Sequence, residues 1–201
     1  MSEDERTARE RIVASALRLF AERGVDAVSL RDVASDADVS VALIPHHFGT
    51  REGLRDAVDA HVIAIFDALE QQPPTELTGD GAVAGFVEAL LSALPQGSPI
   101  PAYVRRLLLS GTEGGRLLFR RWYELSVRLL ANLEVHDIAR PAVDPQMRAA
   151  FLLVNDLAMI LLHEHVHDAT GVDPLSPDGS ARWAAEAIDA YTHGVFRKET
   201  L

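Results

Sequence analysis

Apolar residues recur three and four positions apart over several long stretches, and no segment alternates with the period of two that a half-buried strand requires. The chain is therefore expected to be all helical. A first helix from Asp4 to Arg23 carries Ile12, Ala16, Leu19 and Phe20 on one face, and Gly24 stands where a left-handed residue would end it. Ser29 can cap the amide of Asp32 while that carboxylate reaches back, which opens a second helix with Leu30, Val33, Ala34 and Ala37. After a turn over Asp36 to Val39, Ser40 is expected to cap a short third helix ending near His47. Thr50 then caps a longer fourth, with Leu54, Val58, Val62, Phe66 and Leu69 in one stripe. Two short helices across a tight turn, braced by a longer one, form the layout of a helix-turn-helix.

Turn-rich breaks follow at residues 71–81 (QQPPTELTGDG), at 95–101 (PQGSPIP), around Arg140 and Pro141, and at 170–180 (TGVDPLSPDGS). Between them lie Ala- and Leu-rich helices. One places Leu118, Trp122, Leu125, Leu129 and Leu133 on a stripe, with Arg116, Arg120 and Arg121 nearer solvent. Met147 to Leu162 is apolar almost all round, broken only by Arg148, Asn155 and Asp156. It is too short and interrupted for a membrane span, and so is expected at the domain centre or in a subunit interface. The last helix, residues 181–196, is a suitable companion through Trp183, Ala187, Ile188, Tyr191 and Val195. Two such helices from each of two subunits would build a four-helix interface, so a symmetric homodimer is expected.

Composition adds limits. The chain has 201 residues, 48% apolar, and no cysteine, which removes disulfides, thiolate metal sites and a Cys nucleophile. The acidic start MSEDERTARER has no apolar core, so no secretory leader is expected and the cytosol is the default compartment. Charge alters the picture more. The formal net charge is −11, and residues 1–60 hold eight Arg and no Lys against twelve Asp and Glu. Phosphate attraction normally needs the opposite balance. A local positive edge from Arg31, Arg51, Arg55 and the helix N-termini is the arrangement that would still permit DNA contact, with weak non-specific binding, marked salt sensitivity, and strengthening below pH ~6.5 as His46 and His47 protonate.

The segment RIVASALRLFAERGVDAVSLRDVASDADVSVALIPHHFGTREGLRDAV, Arg11 to Val58, resembles the N-terminal signature of the tetracycline-repressor (TetR) family of bacterial regulators. It carries, in order, LFAERG at the end of the first helix, SLRDVA in the second, VS before the third and HFGTREGL leading into the fourth. The resemblance implies an all-α protein with an N-terminal three-helix helix-turn-helix DNA-binding domain over residues 1–50, a connecting helix over about 50–70, and a C-terminal helical domain over 71–201 that binds a small molecule and dimerises. In a helix-turn-helix the third helix enters the major groove. Val41, Ala42, Pro45 and His46 are placed on its outer face, and Leu43, Ile44 and Phe48 on its inner one. By resemblance, His47 matches a backbone-touching histidine, Ser29 and Thr50 sit at helix starts next to phosphates, and Arg51 matches a phosphate-binding Lys or Arg. Leu30, Arg31 and Ser40 belong to the same interface.

Three positions depart from the family pattern. Asp38 stands where glycine is common in the turn, Val41 where Lys is frequent, and Pro45 where Tyr is typical. Proline at 45 removes the amide that would bond to the Val41 carbonyl, so the third helix is expected to be short or kinked.

Phe86, Tyr103, Phe119, Trp122 and Phe151 are candidates to line an apolar ligand cavity, with plain core packing as the other reading. Asn155, and also Asp156, Glu88 and Glu124, are polar residues in or beside apolar helices that would select a cationic or hydrogen-bonding ligand, with a solvated or paired side chain as the equal alternative for each. LLHEHVHDATG contains H-E-x-x-H, with His163 and His167 one turn apart, the spacing of zinc peptidases. It falls at a helix end before a turn, where the dipole favours histidines without any metal. No other catalytic motif stands out, and neither cofactor nor metal is expected. The reading is a regulator of palindromic double-stranded DNA, a repressor released by a small-molecule effector. A ligand-binding or scaffold dimer without DNA recognition, and a metalloprotein built on His163 and His167, are the alternatives.

Overall fold

A computed structural model describes residues 3–70 and 97–193 of the chain. Among the described residues there are eight helices and no strand: α1 (Glu3–Arg23), α2 (Leu30–Asp36), α3 (Leu43–Phe48), α4 (Arg51–Glu70), α5 (Ile100–Leu109), α6 (Glu113–Val135), α7 (Pro145–Thr170) and α8 (Pro177–His193). The helix at 100–109 was not expected from the sequence, because Pro99 and Pro101 made residues 95–101 read as a break. Pro101 is tolerated there because it falls in the first turn, where its missing amide has no intrahelical partner to lose.

The helices divide into two compact units. In the first, α1, α2, α3, α4, α5 and the start of α6 as far as Arg121 belong together. Its core is the inner face of α1 (Ile12, Ala16, Leu19 and Phe20, all nearly inaccessible) with Val33, Ile44, Leu54, Val58 and Val62. α1 packs against α2, α4 and α5, and α3 against α4. Gly24 adopts φ 87° and its amide reaches the Phe20 carbonyl at 2.9 Å, the left-handed ending that this position calls for. Side chains fasten the unit as well. Arg106 of α5 donates to the Ala21 and Glu22 carbonyls at 2.9 and 3.1 Å, filling acceptors that the last turn of α1 leaves open. Arg121 forks onto Asp67 of α4 at 2.5 and 2.6 Å.

One polar group is buried among all this. Asp59 of α4 is only 5% exposed and accepts the Tyr103 hydroxyl at 2.5 Å. Gly114, in the first turn of α6, lies so close that a Cβ there would stand 2.2 Å from the Asp59 Oδ2. Burial pushes the Asp59 carboxyl above its ordinary range, while the Tyr103 bond and Arg55 pull it back and Asp56 adds to the rise. The same burial, together with Asp59, raises the Tyr103 phenol.

The second unit takes α6 from Trp122 onward with α7 and α8. Trp122 and Leu133 are buried, and Leu125 and Leu129 half-buried. Arg148 ties the start of α7 to the preceding loop, meeting Glu134 at 3.5 Å and the Pro141 carbonyl at 3.3 Å. α7 starts on Asp144, whose carboxylate accepts the Met147 amide at 3.0 Å. α8 begins at Pro177, four residues before the expected start at 181, because Ser176 caps the Gly179 amide at 3.1 Å and proline suits the first helical position. Trp183, Ala187, Ile188 and Tyr191 are half-buried along α8, whereas Val195 lies outside the described residues.

α7 is not enclosed on every side within one chain. Ala149, Leu153, Leu157 and Ile160 form its buried face, while Met147 (66% exposed), Phe151 (66%), Val154 and Leu162 run along the opposite one. The sequence makes both faces apolar; the single chain supplies a core for one.

Candidate nucleic-acid interface

The helix-turn-helix is built by local bonds that the residues themselves dictate. Asp32 donates its amide to Ser29 Oγ at 3.2 Å and its carboxylate takes the Ser29 amide at 2.8 Å, the reciprocal capping box. The Ser29 hydroxyl also reaches the same carboxylate at 2.6 Å, and these Ser29 bonds hold Asp32 below the usual carboxylate range. Asp38 takes φ 52° in the turn, and the Val39 amide closes onto Ala34 at 3.0 Å. A short polar side chain tolerates that conformation, which is why aspartate can replace the family glycine.

α3 is six residues long, as proline at 45 leads one to expect. The Val41 carbonyl is taken instead by the Ile44 amide at 3.3 Å, and the Leu43 amide bonds to the Ser40 carbonyl at 3.0 Å. This corrects the expected start: residues 40–42 form a turn, α3 begins at Leu43, and its N-cap residue Ala42 offers no side-chain bond. Without a Pro45 amide the regular ladder cannot engage Val41, so the chain tightens there and Ser40 falls too far upstream to cap.

Ile44 is fully buried and anchors α3, with Leu43 and Phe48 half-buried. Val41, Ala42, Pro45 and His46 are all exposed, Leu30 is half-buried, and Arg31 is exposed at the start of α2. His47 is half-buried with its ring edge-on to His46 (5.2 Å between centroids) and to Phe48 (6.0 Å). Its buried Nε2 has no hydrogen-bond partner among the described residues. Thr50 accepts the Gly53 amide at 3.0 Å and so opens α4. Arg51 is part-buried and donates to the Val25 carbonyl, which fastens the start of α4 to the loop between α1 and α2.

The cations of this unit are unevenly used. Arg18 is held by Asp36 and meets Glu22 at 3.4 Å, and Arg55 meets Asp56 at 3.3 Å. Arg31 makes no ion pair among the described residues. Arg9 of α1 stacks over the Phe48 ring at 5.3 Å, which carries a guanidinium to the end of α3. Sequence reasoning did not find Arg9, because the contact joins residues far apart in the chain and leaves no local signal. Of the arginines expected at a positive edge, Arg31 makes no ion pair among the described residues, while Arg51 and Arg55 are partly committed; Arg9 adds a guanidinium beside Phe48.

The expected ligand-cavity residues are divided between the units. Tyr103, bonded to Asp59, and Phe119, 37% exposed, belong to the first; Trp122, buried, and Phe151, exposed, belong to the second. Phe86 and Glu88 lie outside the described residues. Asn155 donates to the Tyr191 hydroxyl at 2.6 Å, and Glu124 is exposed. Beside them Asp156 is pushed up to about 6 by burial. His163 meets Asp173 at 3.4 Å through Nδ1 and Glu164 at 3.8 Å through Nε2, while His165 and His167 are exposed in the last turns of α7. Among the described residues no three acidic or histidine side chains converge as a metal site. Gly171 ends the helix in the left-handed conformation, its amide on the His167 carbonyl at 2.7 Å.

The family model of the bacterial regulatory proteins of the tetR family matches residues 12–58, and that of the tetracyclin repressor-like C-terminal domain matches residues 96–197. The chain belongs to the TetR family. It is similar to the HTH-type transcriptional regulatory protein RaaS of Mycobacterium tuberculosis, 27% identical over 97% of this chain and 90% of that protein. The HTH-type transcriptional repressor Rv3405c of the same organism is 31% identical over 86% of this chain and 84% of its own length. Among solved structures, the transcriptional regulator FadR of Bacillus subtilis in complex with stearoyl-CoA superimposes with a TM-score of 0.75 at 13% identity, covering 93% of this chain and 99% of that one, which shows the shared fold. This TetR-family chain is a DNA-binding transcriptional regulator, and the relatives it matches are regulators rather than enzymes.

Proposed function

We propose that the protein is a repressor that holds a palindromic operator as a homodimer and releases it when a small-molecule effector binds. The exposed surface of α3 and the turn before it, with Val41, Ala42, Pro45 and His46 outward over a buried Ile44, carries the DNA half of this reading. Ser29, Leu30, Arg31, Ser40, His47, Thr50 and Arg51 surround it, with Arg9 as an added phosphate contact. Residues 1–50 then act as the reading head, 50–70 as the connection and 71–201 as the effector and dimer domain, working in the bacterial cytoplasm where the DNA is.

The exposed apolar face of α7 supports the homodimer. Met147, Phe151, Val154 and Leu162 share one side of the helix, half to two-thirds exposed, and covering what remains of each is worth about 1–2 kcal/mol. Two-fold pairing of that face would space two recognition helices for the two halves of a palindrome. The relative bound to stearoyl-CoA supports effector binding within this fold. Release follows only if the effector binds the DNA-incompetent state more tightly, since equal affinity for both states shifts nothing.

A mobility-shift titration with the DNA flanking its own gene tests the reading. A shift that weakens steeply with salt and is lost in Ile44→Asp is expected, and no shift at micromolar protein would leave a scaffold dimer that has lost DNA recognition. Val41→Lys, which restores the cation frequent in the family, is expected to tighten binding.

A further inference from the structure

Val41, Ala42, Pro45 and His46 all face outward from α3 and the turn before it, and the first three are apolar. Val41 is 43% exposed. Positions four apart keep Val41 beside Pro45 and Ala42 beside His46, while Ile44 between them is fully buried, so the four form one continuous outer surface. The main chain past Ala42 has few donors left to offer there. The amides of Leu43, Ile44 and His46 are spent on the carbonyls of Ser40, Val41 and Ala42 at 3.0, 3.3 and 3.4 Å, and Pro45 has none. Base contacts from this surface therefore fall to side chains. Of the four, His46 alone can hydrogen-bond, and its ring stands edge-on to His47 with no hydrogen bond among the described residues.

In the major groove each base pair shows a distinct edge, and thymine is the base that presents a methyl group. An apolar side chain gains by covering that methyl, whereas against an amino or carbonyl edge it strips water and returns no hydrogen bond. We infer that the operator is read chiefly through thymine methyl groups, covered by Val41, Ala42 and Pro45, and that His46 adds one hydrogen bond to a guanine. A single ring N–H suits guanine because N7 and O6 both accept, while in adenine the N7 acceptor lies next to an amino donor. Each half-site then combines thymine–adenine pairs with a guanine–cytosine pair opposite α3. The inference rests on the DNA half of the reading above and names the base chemistry that this surface selects.

For the test, duplexes of random sequence, long enough for two half-sites one helical turn apart, are selected on the purified full-length chain. The best-bound duplex is then remade with uracil for thymine, which removes the methyl and keeps the base pair. Mobility-shift titration is expected to show affinity lower by about four-fold for each methyl covered, and by at least about ten-fold over both half-sites. Uracil confined to the flanks is expected to change nothing. Val41→Ser is expected to weaken the thymine duplex and leave the uracil duplex as it was, so that the ratio between them falls by at least about four-fold. His46→Ala keeps that ratio and loses the preference for guanine at one position of the half-site. Circular dichroism shows that each variant keeps its helices.

The inference is overturned if thymine and uracil duplexes bind alike, or if the selected half-sites lack thymine. It also fails if Val41→Ser keeps the full ratio, because the methyl effect then lies in the shape of the DNA rather than at α3. An unchanged guanine preference in His46→Ala overturns the His46 contact. A selected site without two-fold symmetry would refute the dimeric operator and leave the methyl reading standing, whereas a pool that yields no bound sequence refutes both.

Discussion

Each unit of the protein holds one carboxyl that burial raises above its ordinary range, fully buried in the first and half-buried in the second, and the two are treated oppositely. Asp59 in the first unit has a hydroxyl donor in Tyr103, an arginine nearby in Arg55, and a glycine at 114 that lets α6 come close. Asp156 in the second has apolar neighbours and no partner among the described residues. The same contrast runs through the rest of the molecule. In the first unit Arg106, Arg51 and Arg121 spend their donors on α1, on the loop after it and on α4, so α1, α4 and α5 are tied into one body. Among the described residues, the second unit leaves the Asp156 charge without a partner and one apolar face of α7 exposed. A reading head needs a fixed geometry, because base recognition tolerates little displacement of α3. A domain that accepts a ligand and a second subunit must keep surface open for them.

Filling the space beside Asp59 is the harshest way to break that contrast. Gly114→Val is expected to destabilise the chain by about 3 kcal/mol in urea unfolding, since its Cβ would overlap the carboxylate oxygen, and Asp59→Ala in the same chain should recover part of the loss. If both substitutions are silent, α6 is not seated on Asp59.

Removing the second acid should act with the opposite sign. The Asp156 carboxyl is raised from 3.8 to about 6, so protons bind the folded chain more tightly than the unfolded one. The cost of its charge is complete above about pH 6, shrinks as the pH falls and is gone below about pH 4. Asp156→Asn should therefore stabilise the protein by about 2 kcal/mol at pH 7.5 and by about half as much at pH 5. Equal melting temperatures at both pH values would show that the acid is partnered after all.

Tyr103→Phe deletes the donor that Asp59 depends on and keeps the volume, and is expected to cost about 1–3 kcal/mol, measured by thermal unfolding at neutral pH. Arg106→Ala should cost somewhat less, about 1–2 kcal/mol, and should speed amide exchange at the end of α1, whose carbonyls it leaves open. Ser29→Ala is the smallest, about 1 kcal/mol, through loss of the capping box at α2. If Ser29→Ala proves more damaging than Gly114→Val, the first unit is held by its caps rather than by the Asp59 contact.

Much of the first unit was legible because its determinants are local. Ser29 and Asp32 form their box within three residues, Gly24 and Asp38 take the left-handed turns, and Pro45 shortens α3 by removing its own amide. The same local logic misled at Ser40, where the missing Pro45 amide moved the helix start downstream of the serine. It also misread residues 95–101, whose prolines suggest a loop although Pro101 is harmless in a first turn. Arg9 on Phe48, Arg106 on α1 and Tyr103 on Asp59 were beyond its reach, since each joins helices that only the fold brings together.

The amino-acid order by itself therefore determined the helices, their caps, the helix-turn-helix and the family, because periodicity and capping act within a few residues. Tertiary structure decided which face of an evenly apolar helix is covered and which polar groups find partners. Nothing in the spacing around Asp59 or Asp156 distinguishes two acids in amphipathic surroundings. Packing gave a donor to one and withheld it from the other, and the cost of a buried charge depends on that difference.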